Sequence, residues 1–310
     1  MISRIHRFFV WSIAYFLFSC SDSVKTLTPN GIDENTIRGK VLMLDKNSSV
    51  VEVELLARSE NLVGKIPSKI GSKVSLILQP GDVSLLEKKE LFRGELQESF
   101  SPELGKTFLL HNVWPDDPAQ RIMFNNVNRL LRRDTLSLGE SMIRTIGDTL
   151  PPFALYDQDG NIVTTDYFDG SVTVMNFIFS RCSVAEMCPA STMKMKKLQE
   201  LAKKTDIEHI RFLSITLDPE FDSPGVLKSY ARGYNLDETN FKVCTSKKSV
   251  IDDLTRQFGI LRKNEKDQPL DHTMRTMIVN SKRQIVYQVP GKGWRVEDFL
   301  SRLQEGSVAF

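Results

Sequence analysis

Along the chain the hydrophobic positions change period twice. Residues 36–44 (TIRGKVLML), 50–56 (VVEVELL) and 73–78 (KVSLIL) are short runs rich in Val, Ile and Leu, separated by turn formers at Asn47-Ser48, Pro67 and Gly71. They predict a small, barrel-like β module over 33–100. Between 116 and 147, Ile122, Met123, Val127, Leu130, Leu131 and Leu136 recur at helical spacing behind Pro118 and predict a connecting helix. Arg129, Arg132 and Arg133 fall on its other faces, where a charge run reads as solvated. From residue 150 the order becomes strand, helix, strand, helix. The apolar run 173–179 (TVMNFIF) reads as a strand buried on both faces, 189–204 as a helix and 210–217 as a second buried strand. A helix over 226–234, a short strand over 241–245, a helix over 250–258, a hairpin of 276–280 with 284–288 and a closing helix over 294–304 follow. Such alternation predicts an α/β domain with a central sheet over 150–305.

The first residues form a separate signal. Arg4 and Arg7 precede an apolar run over 8–18 that ends at Ser19-Cys20, the layout of a signal peptide over 1–19. The run is shorter than the roughly 20 residues a membrane-spanning helix needs. Residues 17–20 (LFSC) resemble the bacterial lipobox, which predicts a lipidated Cys20 at the mature N-terminus and a polar spacer over 21–35 leading to the folded body. An uncleaved anchor with an incidental cysteine is the other reading of these residues. Both put the remainder outside the cytoplasm, membrane-anchored in the cell envelope.

Composition narrows the class. Of 310 residues, 41% are hydrophobic and 26% charged, an ordinary globular balance. The 41 Lys and Arg against 39 Asp and Glu leave a formal charge of +2, which argues against a nucleic-acid surface. Loss of 1–19 removes Arg4 and Arg7 and brings that +2 to zero. Of the four cysteines, a lipidated Cys20 leaves Cys182, Cys188 and Cys244. An odd number in an oxidising compartment means that at least one thiol stays free or is held by something else, such as a metal.

The chemistry gathers where the 173–179 strand runs into Cys182-Ser183-Val184-Ala185-Glu186-Met187-Cys188-Pro189. Proline favours the first helical turn, so Cys188 falls at a helix N-terminus, where free N–H groups and the helix dipole favour a thiolate. Strand, cysteine pair and helix in that order are the thioredoxin arrangement. By themselves the two cysteines fit a metal site or a redox disulfide, and His272 fits a surface histidine at a hairpin mouth.

The segment 150–303 resembles the Sco/SenC family of copper chaperones. The resemblance is carried by PPFALYDQDG (151–160), the cysteine loop, SITLDPEFDSP (214–224), FKVCTS (241–246) and LDHTMRTMIVNSKRQIV (270–286). It implies a thioredoxin-like fold and one copper ion held by Cys182, Cys188 and His272. Two sulfurs favour Cu(I), and the nitrogen also permits Cu(II). It further implies that Cys182 and Cys188 can form a redox disulfide, and that the protein delivers copper to a respiratory oxidase subunit or keeps that subunit's cysteines reduced. One departure is the five residues between the cysteines, where the family more commonly has three.

Two other classes stay open: a thiol-disulfide oxidoreductase with His272 incidental, and a redox-sensing or structural envelope protein. Asp271 is a candidate to orient the imidazole. Asp218, Glu220 and Asp222 form an acidic loop that resembles a family feature near the metal, with solvated charge as the equal alternative. Cys244 reads as a buried inert thiol and Met187, Met193 and Met195 as core filler. His6, His111 and His209 carry no pattern. The β module holds only Met43 and no His or Cys over 36–100, so no metal is expected there.

Overall fold

The computed structural model describes residues 33–305, apart from 68, 103, 104, 140, 206, 208 and 264–270. The leader, Cys20, the spacer up to residue 32 and His6 lie outside the described residues. No described helix is long and apolar enough to cross a membrane.

The first unit is a closed barrel. Its strands are β1 (Thr36–Asp45), β2 (Val50–Arg58), β3 (Lys73–Leu78), β4 (Leu91–Ser101) and β5 (Gly105–Pro115), in the order β1-β2-β3-β5-β4. A short helix α1 (Pro80–Leu86) joins β3 to β4, and β3 runs parallel to β5, the Greek-key order of a small OB-type barrel. Alternate residues Val51, Val53 and Leu55 of β2 and Phe92 and Leu96 of β4 fill its interior, the period-two pattern of strands with one face inside. The barrel thus extends to Pro115, beyond the 33–100 expected. The strand beyond residue 100 is β5, whose sequence GKTFLLHNVWP shows no clean alternation of buried and exposed positions and so carries little strand signal.

Helix α2 (Pro118–Ser137) follows, capped by the Asp117 carboxylate accepting from Gln120 N–H at 2.8 Å. It is shorter than the 116–147 expected, and its buried face is a different one. Phe124, Asn128, Leu131 and Thr135 face the body, whereas Ile122, Met123, Leu130 and Leu136 are exposed. The reason is partly polar. Asn128 donates to the Ala154 carbonyl at 2.9 Å and accepts from Ala154 N–H at 3.0 Å, and Thr135 accepts from Gln257 at 2.8 Å. Buried side-chain hydrogen bonds, together with Phe124 and Leu131, set the docking face.

The α/β domain starts with a small hairpin, β6 (Ala154–Tyr156) and β7 (Ile162–Thr164). Its main sheet contains β8 (Val172–Ile178), β9 (Ile210–Thr216), β10 (Phe241–Cys244), β13 (Arg275–Val279) and β14 (Ile285–Pro290), in the order β10-β9-β8-β13-β14. Strands β8, β9 and β10 are parallel, and β13 and β14 are antiparallel. Helices α3 (Cys188–Lys204), α4 (Pro224–Gly233), α5 (Lys248–Gln257) and α6 (Val296–Gln304) cover it, α3 packing with α6 and α5 with α2. Two-stranded pairing of β11 (Arg262–Lys263) with β12 (Asp271–His272) precedes β13. Strands β8 and β9 are buried along almost their whole length, as strands covered on both faces must be. The domain has the mixed α/β, thioredoxin-like architecture expected.

Barrel and α/β domain touch along α1 and α4. Gly81 of α1 lies against the Gly225 carbonyl, where any Cβ would collide with it, so this crossing requires glycine for its close approach. Lys88 pairs with Asp159 at 3.0 Å, and Arg232 donates to Ser84 at 2.7 Å across the same seam. Trp114 of β5, Tyr156 of β6 and Phe124 of α2 stack into a second junction, with ring centroids 5.9 and 4.7 Å apart.

Candidate metal centre

Strand β8 ends at Ile178, and the chain then turns through Phe179-Ser180-Arg181 to Cys182. The turn is held from below by Asp222, fully buried, which accepts from Ser180 N–H at 3.1 Å and from the hydroxyls of Ser180 and Thr216. Burial pushes the Asp222 carboxyl up to about 6 against those hydrogen bonds, which favour the anion. Of the two readings of the acidic loop, Asp222 fits the one that places it near the metal ligands and not the solvated one: it is a buried clamp on the cysteine loop. Asp218 pairs with Arg181 at 2.7 Å, and the Arg181 guanidinium lies 4.5 Å from the centre of the Phe221 ring.

Cys188 opens α3 and Pro189 follows it, as the sequence indicates. His272 reaches the same place from β12. The ligand atoms of Cys182, Cys188 and His272 all lie within 4.8 Å of one another, and Cys188 Sγ is 3.4 Å from His272 Nε2. Cys188 and His272 are buried and Cys182 is half-buried; the cysteines are not bonded to each other. His272 Nδ1 donates to the Thr273 carbonyl at 2.9 Å, which leaves the Nε2 lone pair facing the sulfurs. Phe179 packs edge-on against the imidazole with ring centroids 5.3 Å apart. The five-residue spacer does not keep the sulfurs apart. The loop absorbs the extra length, with Met187 N–H bonding the Val184 carbonyl at 3.0 Å.

One expectation changes sign. The helix end was expected to favour the Cys188 thiolate, but burial and, after it, the neighbouring Cys182 push the Cys188 thiol well above its ordinary range. Desolvation outweighs the helix terminus here. Cys188 is therefore a protonated thiol that a metal must deprotonate, not a ready nucleophile. Cys244 lies fully buried in β10, with burial raising its thiol likewise, and it stands apart from the cluster.

The methionines divide. Met195 is core, Met193 is exposed, and Met187 lines an apolar groove of about 450 Å³ beside His272 together with Val184, Met274 and Pro290. The orienting contact at Thr273, the Phe179 wall and the Asp222 clamp went unseen in the sequence. A carbonyl carries no residue signature, and Asp222 looks like any member of an acidic loop until its burial is known.

A family model described as SCO1/SenC matches residues 143–305. The Bacillus subtilis SCO1 protein homolog is 27% identical over 174 residues, covering 55% of this chain and 89% of the relative, and a SCO2-like protein of Rickettsia felis is 30% identical over 152 residues, covering 47% and 69%. Among solved structures, a SCO1/SenC family lipoprotein from Bacillus anthracis is 24% identical with a TM-score of 0.47 over 53% of this chain and 98% of that one. Arabidopsis thaliana ScoI with copper bound is 22% identical with a TM-score of 0.45 over 52% and 98%. The barrel lies outside the span that the family model matches. With more than half of its length covered by that model, the chain belongs to the SCO1/SenC family.

Proposed function

We propose that this protein is a copper-binding metallochaperone of the cell envelope, tethered by a lipid on Cys20, which carries copper to the copper site of a respiratory oxidase subunit or keeps that subunit's cysteines reduced. The observation that carries the reading is the convergence of two sulfurs and one imidazole nitrogen within 4.8 Å, a donor set soft enough for Cu(I) with a nitrogen that suits Cu(II). Membership of the family supports it, as does the copper-bound relative. Cys182, Cys188 and His272 would hold the ion. On loading, the buried Cys188 thiol would give up its proton to solvent while Thr273 keeps Nε2 turned toward the site. The Arg4-Arg7 apolar leader supports the envelope placement.

A thiol-disulfide oxidoreductase is the second reading, favoured by the two adjacent, unbonded sulfurs. In that case the half-buried Cys182 is the attacking sulfur, because Cys188 is buried and protonated. The test is anaerobic Cu(I) titration of the reduced protein against a competing chelator. One ion per chain is expected, with tight binding abolished in Cys182→Ser and in Cys188→Ser. Retained one-to-one binding in either variant overturns the site.

A further inference from the structure

The outward face of α2 carries as many exposed large apolar residues as the buried face has residues in all. At about 100° per residue, exposed Ile122, Met123, Leu130 and Leu136 fall within one arc of about 140°, opposite Phe124, Asn128, Leu131 and Thr135. Their exposures are 62, 44, 52 and 67%. Met142, at 60%, and Ile146, at 57%, continue the exposed apolar series in the segment that follows. Isolated exposed apolar residues need no account, but four large ones sharing one arc of a helix do.

Charge identifies what would cover it. Arg129 and Arg133 lie inside the same arc and are exposed, and neither guanidinium meets a carboxylate among the described residues; Arg129 bonds only the Asn126 amide, at 2.5 Å. The other two arginines of the helix are engaged at its flanks, Arg121 with Asp116 at 2.8 Å and Arg132 with Asp253 at 2.7 Å. The helix's one acid, Asp134, is held by Arg144 at 2.5 Å. An apolar stripe carrying unpaired arginines and no free carboxylate is the chemistry of a helix lying in a membrane interface, with apolar side chains among the acyl chains and guanidiniums among phosphates. At 20 residues, α2 is about 30 Å long.

We infer that α2 is a membrane-surface helix, which rests its Ile122, Leu130 and Leu136 face on an anionic bilayer and so sets the orientation of the barrel and the metal centre against it. The inference does not depend on copper binding or on a lipid at Cys20.

The test uses the chain from Ser21, which keeps every described residue and lacks the leader and Cys20. Flotation with vesicles of phosphatidylglycerol and phosphatidylethanolamine is compared with flotation on phosphatidylcholine alone. Binding to the anionic vesicles is expected, weakened by salt, at least tenfold weaker for Leu130→Glu/Leu136→Glu, and reduced for Arg129→Gln/Arg133→Gln. All four residues are exposed, so the variants should keep the wild-type melting temperature, and Met193→Glu, on α3, should bind as wild type does. No binding of the wild-type chain to anionic vesicles overturns the inference, as does equal binding by the Leu130→Glu/Leu136→Glu variant. Dimerisation without vesicles that the same variant abolishes also overturns it, by assigning the face to a second copy.

Discussion

Asp82 gives the sharpest quantitative test of how the two units are joined. It is the third residue of α1, 1% exposed, and packs against Gly225 of α4 with both carboxylate oxygens lacking a hydrogen-bond partner among the described residues. Burial pushes its carboxyl up to about 8, whereas in the unfolded chain it titrates near about 3.9. The folded protein therefore holds one more proton than the unfolded one across that window. The contribution of Asp82 to stability is greatest below about pH 4, falls by about 1.4 kcal/mol per pH unit as pH rises, and levels off above about pH 8. Asp82→Asn removes this titration while keeping the shape. Its buried amide stays unpaired at a cost of about 1–3 kcal/mol that does not vary with pH. Between about pH 5 and pH 7 the wild type should lose about 2.7 kcal/mol relative to the variant. Urea unfolding of both proteins at those two pH values, with matched m-values, measures the difference. A stability difference that stays the same at both pH values refutes the argument, because it would mean that the carboxyl titrates alike in the folded and unfolded chain.

Three further outcomes follow from the metal centre. His272→Ala should weaken Cu(I) binding at least tenfold while leaving Cys182 and Cys188 able to form and break a disulfide, measured by chelator competition and thiol counting on the same samples; unchanged affinity transfers the support to the oxidoreductase reading. Copper affinity should rise with pH through the neutral range, because the raised Cys188 thiol must lose its proton to bind, and a flat profile in competition assays would contradict a protonated Cys188. Asp222→Ala should cost about 2–4 kcal/mol in urea unfolding, since it strands the Ser180 N–H and two hydroxyls, and should lower copper affinity by loosening the cysteine loop.

The elements of the α/β domain were legible because their signals are local. The runs at 173–179 and 210–217 emerge as β8 and β9 within a residue or so at either end, and Pro189 marks the start of α3. The metal cluster was legible only through the family pattern, since His272 is 84 residues from Cys188 and no periodicity links a hairpin mouth to a helix start. Where the reading failed, long-range polar contacts had decided the outcome. Asn128 and Thr135 helped to turn α2 over by bonding Ala154 and Gln257, and a helix wheel weighted by hydrophobicity cannot foresee that. The Cys188 thiol shifted the other way from the helix-end argument because burial, a tertiary quantity, exceeds the local dipole.

The three candidate ligands come from elements held in different ways, and this bears on how such a site would both hold and release an ion. Cys188 is fixed in the first turn of α3 and fully buried. His272 is fixed by the Thr273 carbonyl and the Phe179 ring. Cys182 alone sits half-exposed on a loop, so it is the ligand that solvent or a partner can reach first. That loop is not loose at its base, because Asp222 grips Ser180 two residues before it. Asp222 in turn stands two residues ahead of α4, whose first turn is packed by Gly225 against α1 of the barrel. The barrel therefore braces the element that anchors the half-exposed side of the candidate metal site. Exchange of a bound ion at Cys182 would leave Cys188 held by α3 and His272 held by the Thr273 carbonyl and the Phe179 ring.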